Sequence, residues 1–73
     1  MSKLGNANVR TKVIRALKRA GFIDYPGGKH IIMLHPDGRF ATTIPNAKRL
    51  NVHTLKAILK QCGLSQDKFL KLY

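Results

Sequence analysis

The stretch KHIIMLHPDGRFATTI, residues 29–44, decides the fold because it places two strand patterns around one tight turn. Residues 29–35 are rich in β-branched and apolar side chains, which predicts a buried strand. The Pro-Asp-Gly sequence at 36–38 predicts the turn, since Asp-Gly accepts the positive φ values that a tight hairpin needs. Residues 39–44 form the returning strand, so the stretch predicts an antiparallel hairpin.

The segment before this hairpin predicts one helix and one further strand. Apolar residues recur at helical spacing from Val9 to about Ala20, and Asn8 is the expected N-cap. Residues 22–25 are the expected strand, and the Pro-Gly-Gly sequence at 26–28 is the expected turn into the hairpin. We expect residues 1–7 to be a frayed start.

The segment after the hairpin predicts two more helices. One begins near Asn51 or Thr54 and ends at Cys62, with Gly63 as its left-handed stop. Ser65 is the expected N-cap of a short helical tail. The whole order predicts an α+β fold, α-β-β-β-α, in which two helices cover one face of a three-stranded antiparallel sheet. We interpret residues 1–73 as a single domain.

The charge balance points to a polyanionic ligand. Fourteen Lys and Arg residues face three acidic residues, for a formal net charge of +11. Nucleic acid is the leading candidate and an acidic protein the next, whereas no segment has the pattern of a membrane-surface helix. One cysteine and the absence of a long apolar segment predict a protein of the reducing cytoplasm with no membrane partner.

Most catalytic chemistries lack the residues they need. The few carboxylates and histidines show no metal-ligand spacing, so we predict neither a metal site nor a cofactor. Cys62 lies on the apolar stripe of its predicted helix and is interpreted as a core residue. Metal-free RNA cleavage is the catalytic chemistry that remains after this exclusion. RNA supplies its own nucleophile, the 2′-hydroxyl, so the protein needs to supply only a proton carrier and a cation.

His30 is the candidate proton carrier. Gly28 leaves room for a phosphate backbone, and Lys29 is the adjacent cation. The spacing alone leaves open that His30 is a half-buried strand residue without a task. The other candidate RNA-binding cations are Arg39, Lys56, Arg15, Lys18 and Arg19.

Five segments in order resemble the HicA (YcfA-like) toxin family along nearly the whole chain. They are Ala20-Gly21-Phe22, Gly28-Lys29-His30, the His-Pro-Asp-Gly-Arg sequence at 35–39, Ile44-Pro45, and the segment from Thr54 to Leu64. The resemblance implies a fold like a double-stranded RNA-binding domain and an mRNA interferase whose catalytic residue is His30. It also implies a HicB-type antitoxin that covers the active face. Lys29 departs from the family pattern, which has a small residue before this histidine.

Two other functions stay open beside the endoribonuclease. The same cations would serve a non-catalytic module that binds double-stranded RNA. They would equally serve a basic protein whose true ligand is an acidic partner.

Overall fold

The structure is a computed structural model that describes residues 3–73. A 3₁₀ turn at Lys3–Asn6 precedes the main elements. These are α1 (Arg10–Arg19), β1 (Ile23–Gly27), β2 (His30–Leu34), β3 (Ala41–Ile44), α2 (Val52–Cys62) and α3 (Gln66–Leu72). The predicted α+β order is confirmed, with α3 as the helical tail.

The three strands form one antiparallel sheet in the order β1-β2-β3. Gly27 pairs with His30, and Ile31 pairs with Ile44. The predicted Pro-Gly-Gly turn is wrong by two residues, because β1 continues through Pro26 and Gly27 and the turn consists of Gly28 and Lys29. An edge strand tolerates proline, since one side of its backbone has no ladder bond to make.

The helices cover one face of the sheet, and the other face is open. Met33 points to the helices and is fully buried, whereas its neighbours Ile32 and Leu34 point to the open face. The prediction that this strand is buried is therefore wrong for one of its two faces. The open face carries Ile23, Tyr25, Ile32 and Leu34, which are 44, 45, 41 and 37% exposed.

The N-terminal segment is ordered where the structure describes it. Leu4 and Ala7 are buried in the core, so the expected fraying is wrong for residues 3–7, while residues 1 and 2 lie outside the described residues. Asn8 is not the N-cap of α1: its side-chain amide donates to the Leu50 carbonyl at 2.9 Å. The N-cap position belongs to Val9.

The predicted ends of the later helices are confirmed. Asn51 caps α2 by accepting from the His53 N–H at 2.8 Å, and Gly63 ends it with a φ of 68°. Ser65 caps α3, whose Phe69 is fully buried. No helix within residues 3–73 has both the length and the apolar character needed to cross a membrane.

Candidate functional site

Both long helices begin at the same end of the sheet. At this end the Arg10 Nε donates to the Pro45 carbonyl at 2.9 Å, and the Leu50 N–H donates to the Asn8 carbonyl at 2.8 Å. At the opposite end, α1 stops where the Phe22 ring contacts the His35 ring, with centroids 5.2 Å apart. α2 ends at this opposite end too. Its C-cap, Gly63, lies against the Phe40 ring, which would be 2.8 Å from a Cβ at that position.

His30 is the first residue of β2 and lies at the end where the helices begin. We call this end, formed by Gly27, His30 and Ile44, the His30 end of the sheet. Strand alternation places His30 on the open face, with Ile32 as the next residue on that face. Its side chain is exposed and makes no hydrogen bond or ion pair with any other part of residues 3–73. The imidazole is therefore available to a ligand on the open face.

The turn before His30 needs glycine at its first position. Gly28 has a φ of 71°. Lys29 has a negative φ, because only glycines have a positive φ within residues 3–73. A positive φ followed by a negative one is the pattern of a type II′ turn, which matches the right-handed twist of the two strands. No atom lies within 4 Å of a Cβ built on Gly28, so the space beside the turn is open.

The His30 end is strongly basic. Lys29 lies in the turn, and Arg10, Lys48 and Arg49 surround the start of α1. The positive ends of two helix dipoles add to this charge. The side-chain carboxylates lie elsewhere, in β1 (Asp24), the far hairpin (Asp37) and the first turn of α3 (Asp67).

A cleft of about 370 Å³ opens between the start of α1 and residues 46–49. Its cations, Arg10, Lys48 and Arg49, were not among the predicted site residues. The Lys-Arg pair directly after the last strand was a visible signal. Its closeness to α1 was not visible, because the contact joins residues nearly forty positions apart.

The structure separates the other predicted RNA-binding cations from His30. Arg39 lies in the hairpin at the opposite end of β2, a strand of five residues, so about 13 Å or more along the sheet from His30. Lys56 is exposed on α2. Arg15, Lys18 and Arg19 lie on the exposed side of α1, where Lys18 Nζ is 3.2 Å from Asp24 Oδ1. Their contact with RNA stays a prediction.

Two other side chains that could be reactive, His35 and Cys62, are held in contacts within the fold. His35 opens the hairpin turn, and its Nδ1 accepts from the Asp37 N–H at 3.3 Å. Cys62 is buried in the core, and this burial raises the pKa of its thiol to about 11. No group of three or more His, Cys, Asp or Glu side chains in residues 3–73 is placed to hold a metal ion.

Comparison with known proteins gives one family. The family model described as the HicA toxin of bacterial toxin-antitoxin matches residues 10–64, from the start of α1 to just beyond α2. No curated protein matches the chain.

Proposed function

The chain belongs to the HicA toxin family of bacterial toxin–antitoxin systems, and on that premise we propose that it is a metal-independent endoribonuclease that cleaves mRNA in the cytoplasm with His30. The observation that carries the proposal is the free, exposed imidazole of His30 beside the Gly28-Lys29 turn at the basic end of the sheet. A polyanionic substrate is drawn to this end by its charge.

The reaction needs one proton carrier and one cation. His30 in its neutral form takes the proton of an RNA 2′-hydroxyl, and the 2′-oxygen attacks the adjacent phosphorus. The new bond to the 2′-oxygen forms while the bond to the 5′-oxygen breaks, and the leaving oxygen takes a proton from the imidazolium or from water. The products are a 2′,3′-cyclic phosphate and a 5′-hydroxyl. Lys29 stabilises the extra negative charge on the phosphoryl oxygens.

Cleavage by purified protein in EDTA tests this mechanism. We expect the parent chain to cut mRNA and His30→Ala to leave it intact. The matched control is His53→Ala, which removes another exposed histidine from a helix start and is expected to cut normally. An RNA with a single 2′-deoxyribose at the mapped cut site should resist cleavage there, because it lacks the nucleophile.

Two results would contradict the proposal. Cutting by His30→Ala at the parent rate would remove His30 from the mechanism. RNA that stays intact but bound to the parent chain would favour a non-catalytic module that binds double-stranded RNA.

Membership of a toxin–antitoxin family implies an antitoxin partner. We propose that it is of the HicB type and covers the open face of the sheet. Four large apolar side chains are exposed on this face, which also carries His30, and such patches mark interaction sites. We expect Ile32→Lys to weaken the complex, measured by calorimetry, while Lys60→Ala, on the exposed side of α2, leaves it unchanged.

A further inference from the structure

We propose that the cleft between the start of α1 and residues 46–49 is a second RNA-phosphate site, which binds a backbone phosphate close to the one that is cleaved. The inference rests on the proposed function and adds three cations to it, Arg10, Lys48 and Arg49. The cleft of about 370 Å³ has room for a phosphate group and its neighbouring sugar.

The walls of the cleft are joined by backbone hydrogen bonds. The Arg10 N–H donates to the Lys48 carbonyl at 3.0 Å, and Val9 forms an antiparallel bridge with Arg49. The Leu50 N–H bond to Asn8 closes the same junction. The cations therefore stand on a backbone that is already ordered, so binding an anion here orders only side chains.

Several hydrogen-bond donors at the cleft have no acceptor within the described residues. Within residues 3–73, no carboxylate pairs with Lys48 or Arg49, and the Arg10 side chain makes only its Nε bond to the Pro45 carbonyl. The Thr11 N–H, which also lies at the cleft, donates to no acceptor within the described chain. Guanidinium, ammonium and a free helix N–H are the donors that phosphate oxygens prefer.

Another cleft among the described residues provides an internal comparison. It has about 580 Å³, lies between β3 and α2, and is lined by apolar, threonine and glutamine side chains such as Ile32, Thr54 and Gln61. No charged side chain lines it. The two clefts therefore differ in charge, because three cations line the first and none lines the second.

The position of the basic cleft matches the path of an RNA strand past His30. Continuing the β2–β3 register by one residue beyond Ile31 and Ile44 places His30 opposite Pro45. Facing residues of antiparallel strands have Cα atoms about 5 Å apart. Since the Arg10 guanidinium is bound to the Pro45 carbonyl, the cleft adjoins the end of the sheet that carries His30. In our proposal the RNA strand turns around this end from the open face, so that a neighbouring phosphate enters the cleft.

Binding measured in a His30→Ala background tests the cleft separately from cleavage. The probe is a short single-stranded RNA of mixed sequence, titrated by fluorescence anisotropy. We expect Lys48→Gln with Arg49→Gln to raise Kd about tenfold or more and to reduce the slope of log Kd against log salt by about 1. The control is Lys60→Gln with Lys68→Gln, which removes the same charge from exposed positions outside the cleft.

The outcomes separate this site from the proposed function. If His30-dependent cleavage fails but the cleft variant still loses RNA affinity, the cleft is supported and the nuclease is not. Equal Kd values for the cleft and control variants would overturn the cleft. The cleft would also be overturned if the cleft variant lost antitoxin binding while its RNA affinity stayed intact. As a second readout, inorganic phosphate should shift the Thr11 amide signal in NMR spectra of the parent chain and not in the cleft variant.

Discussion

Gly27 and His30 form the last residue pair of the β1–β2 ladder, directly across the turn of Gly28 and Lys29. A Cβ on Gly27 would lie 3.1 Å from the Cδ1 of Ile32 and 3.3 Å from the His30 carbonyl oxygen. At Gly27 the backbone of β1 therefore packs directly against β2, the strand that carries His30, with no side chain between them. The position of the imidazole depends on this pair and on the turn that closes it.

Replacing Gly28 with alanine should destabilise the turn. The φ of 71° places an alanine in a region that costs about 1–3 kcal/mol, although nothing lies within 4 Å of the new methyl group. Urea unfolding would measure the loss. Gly5→Ala is the matched control, since its Cβ also meets nothing within 4 Å and its φ is not positive. Equal stabilities of the two variants would show that the turn does not require glycine.

The sequence predicted the elements better than their surroundings. The pattern of residues 29–35 is that of a strand, but it does not reveal that no helix covers the face of Ile32 and Leu34. Pro26 in isolation indicates a turn, and only its place on an edge strand allows β1 to include it. Local patterns record propensity, whereas coverage and edge position are decided by the assembled sheet.

Long-range contacts decided the features that the sequence did not predict. Asn8 has the side chain of an N-cap, but its amide is bound to Leu50, forty-two positions away. The Val9 N–H donates to the Tyr73 hydroxyl at 3.1 Å, although the two residues are sixty-four positions apart. The closeness of Lys29 to His30 was predictable because they are neighbours in the chain, whereas the cations of the cleft beside α1 meet only after folding.

Removing the charge of Lys29 should slow cleavage. Lys29 is exposed in the turn adjacent to His30, where its ammonium can stabilise negative charge on the phosphate. We expect Lys29→Gln to lower kcat/KM by about tenfold to a hundredfold, with Lys29→Arg close to the parent. Lys60→Gln removes the same charge from α2 and controls for net charge. An equal loss in both Gln variants, or faster cleavage by Lys29→Gln, would contradict a local role.

Truncating Phe69 should cost a large share of the stability of the chain. Phe69 belongs to α3, outside the residues that match the family model, yet it is fully buried and its ring lies 5.7 Å from that of Tyr73. Phe→Ala in a core costs about 3–5 kcal/mol, while small domains have only about 5–15 kcal/mol in total. Thermal unfolding followed by circular dichroism would measure this. Lys68→Ala, on the exposed side of α3, should change the free energy of unfolding by about 0.5 kcal/mol or less.

The Cys62 thiol should be unreactive in the folded chain. Burial raises its pKa from 9.0 to about 11, so its proton is held through the range in which an unfolded thiol ionises. The stability from this group is complete below pH 9 and falls as the pH rises toward 11. At pH 8 we expect Ellman's reagent to react about a hundredfold more slowly with native than with urea-unfolded protein, because the raised pKa of the buried thiol lowers its thiolate fraction by about that factor. The chain has one cysteine, so the signal reports a single site. Equal rates in the two states would mean that α2 opens readily enough to expose the thiol.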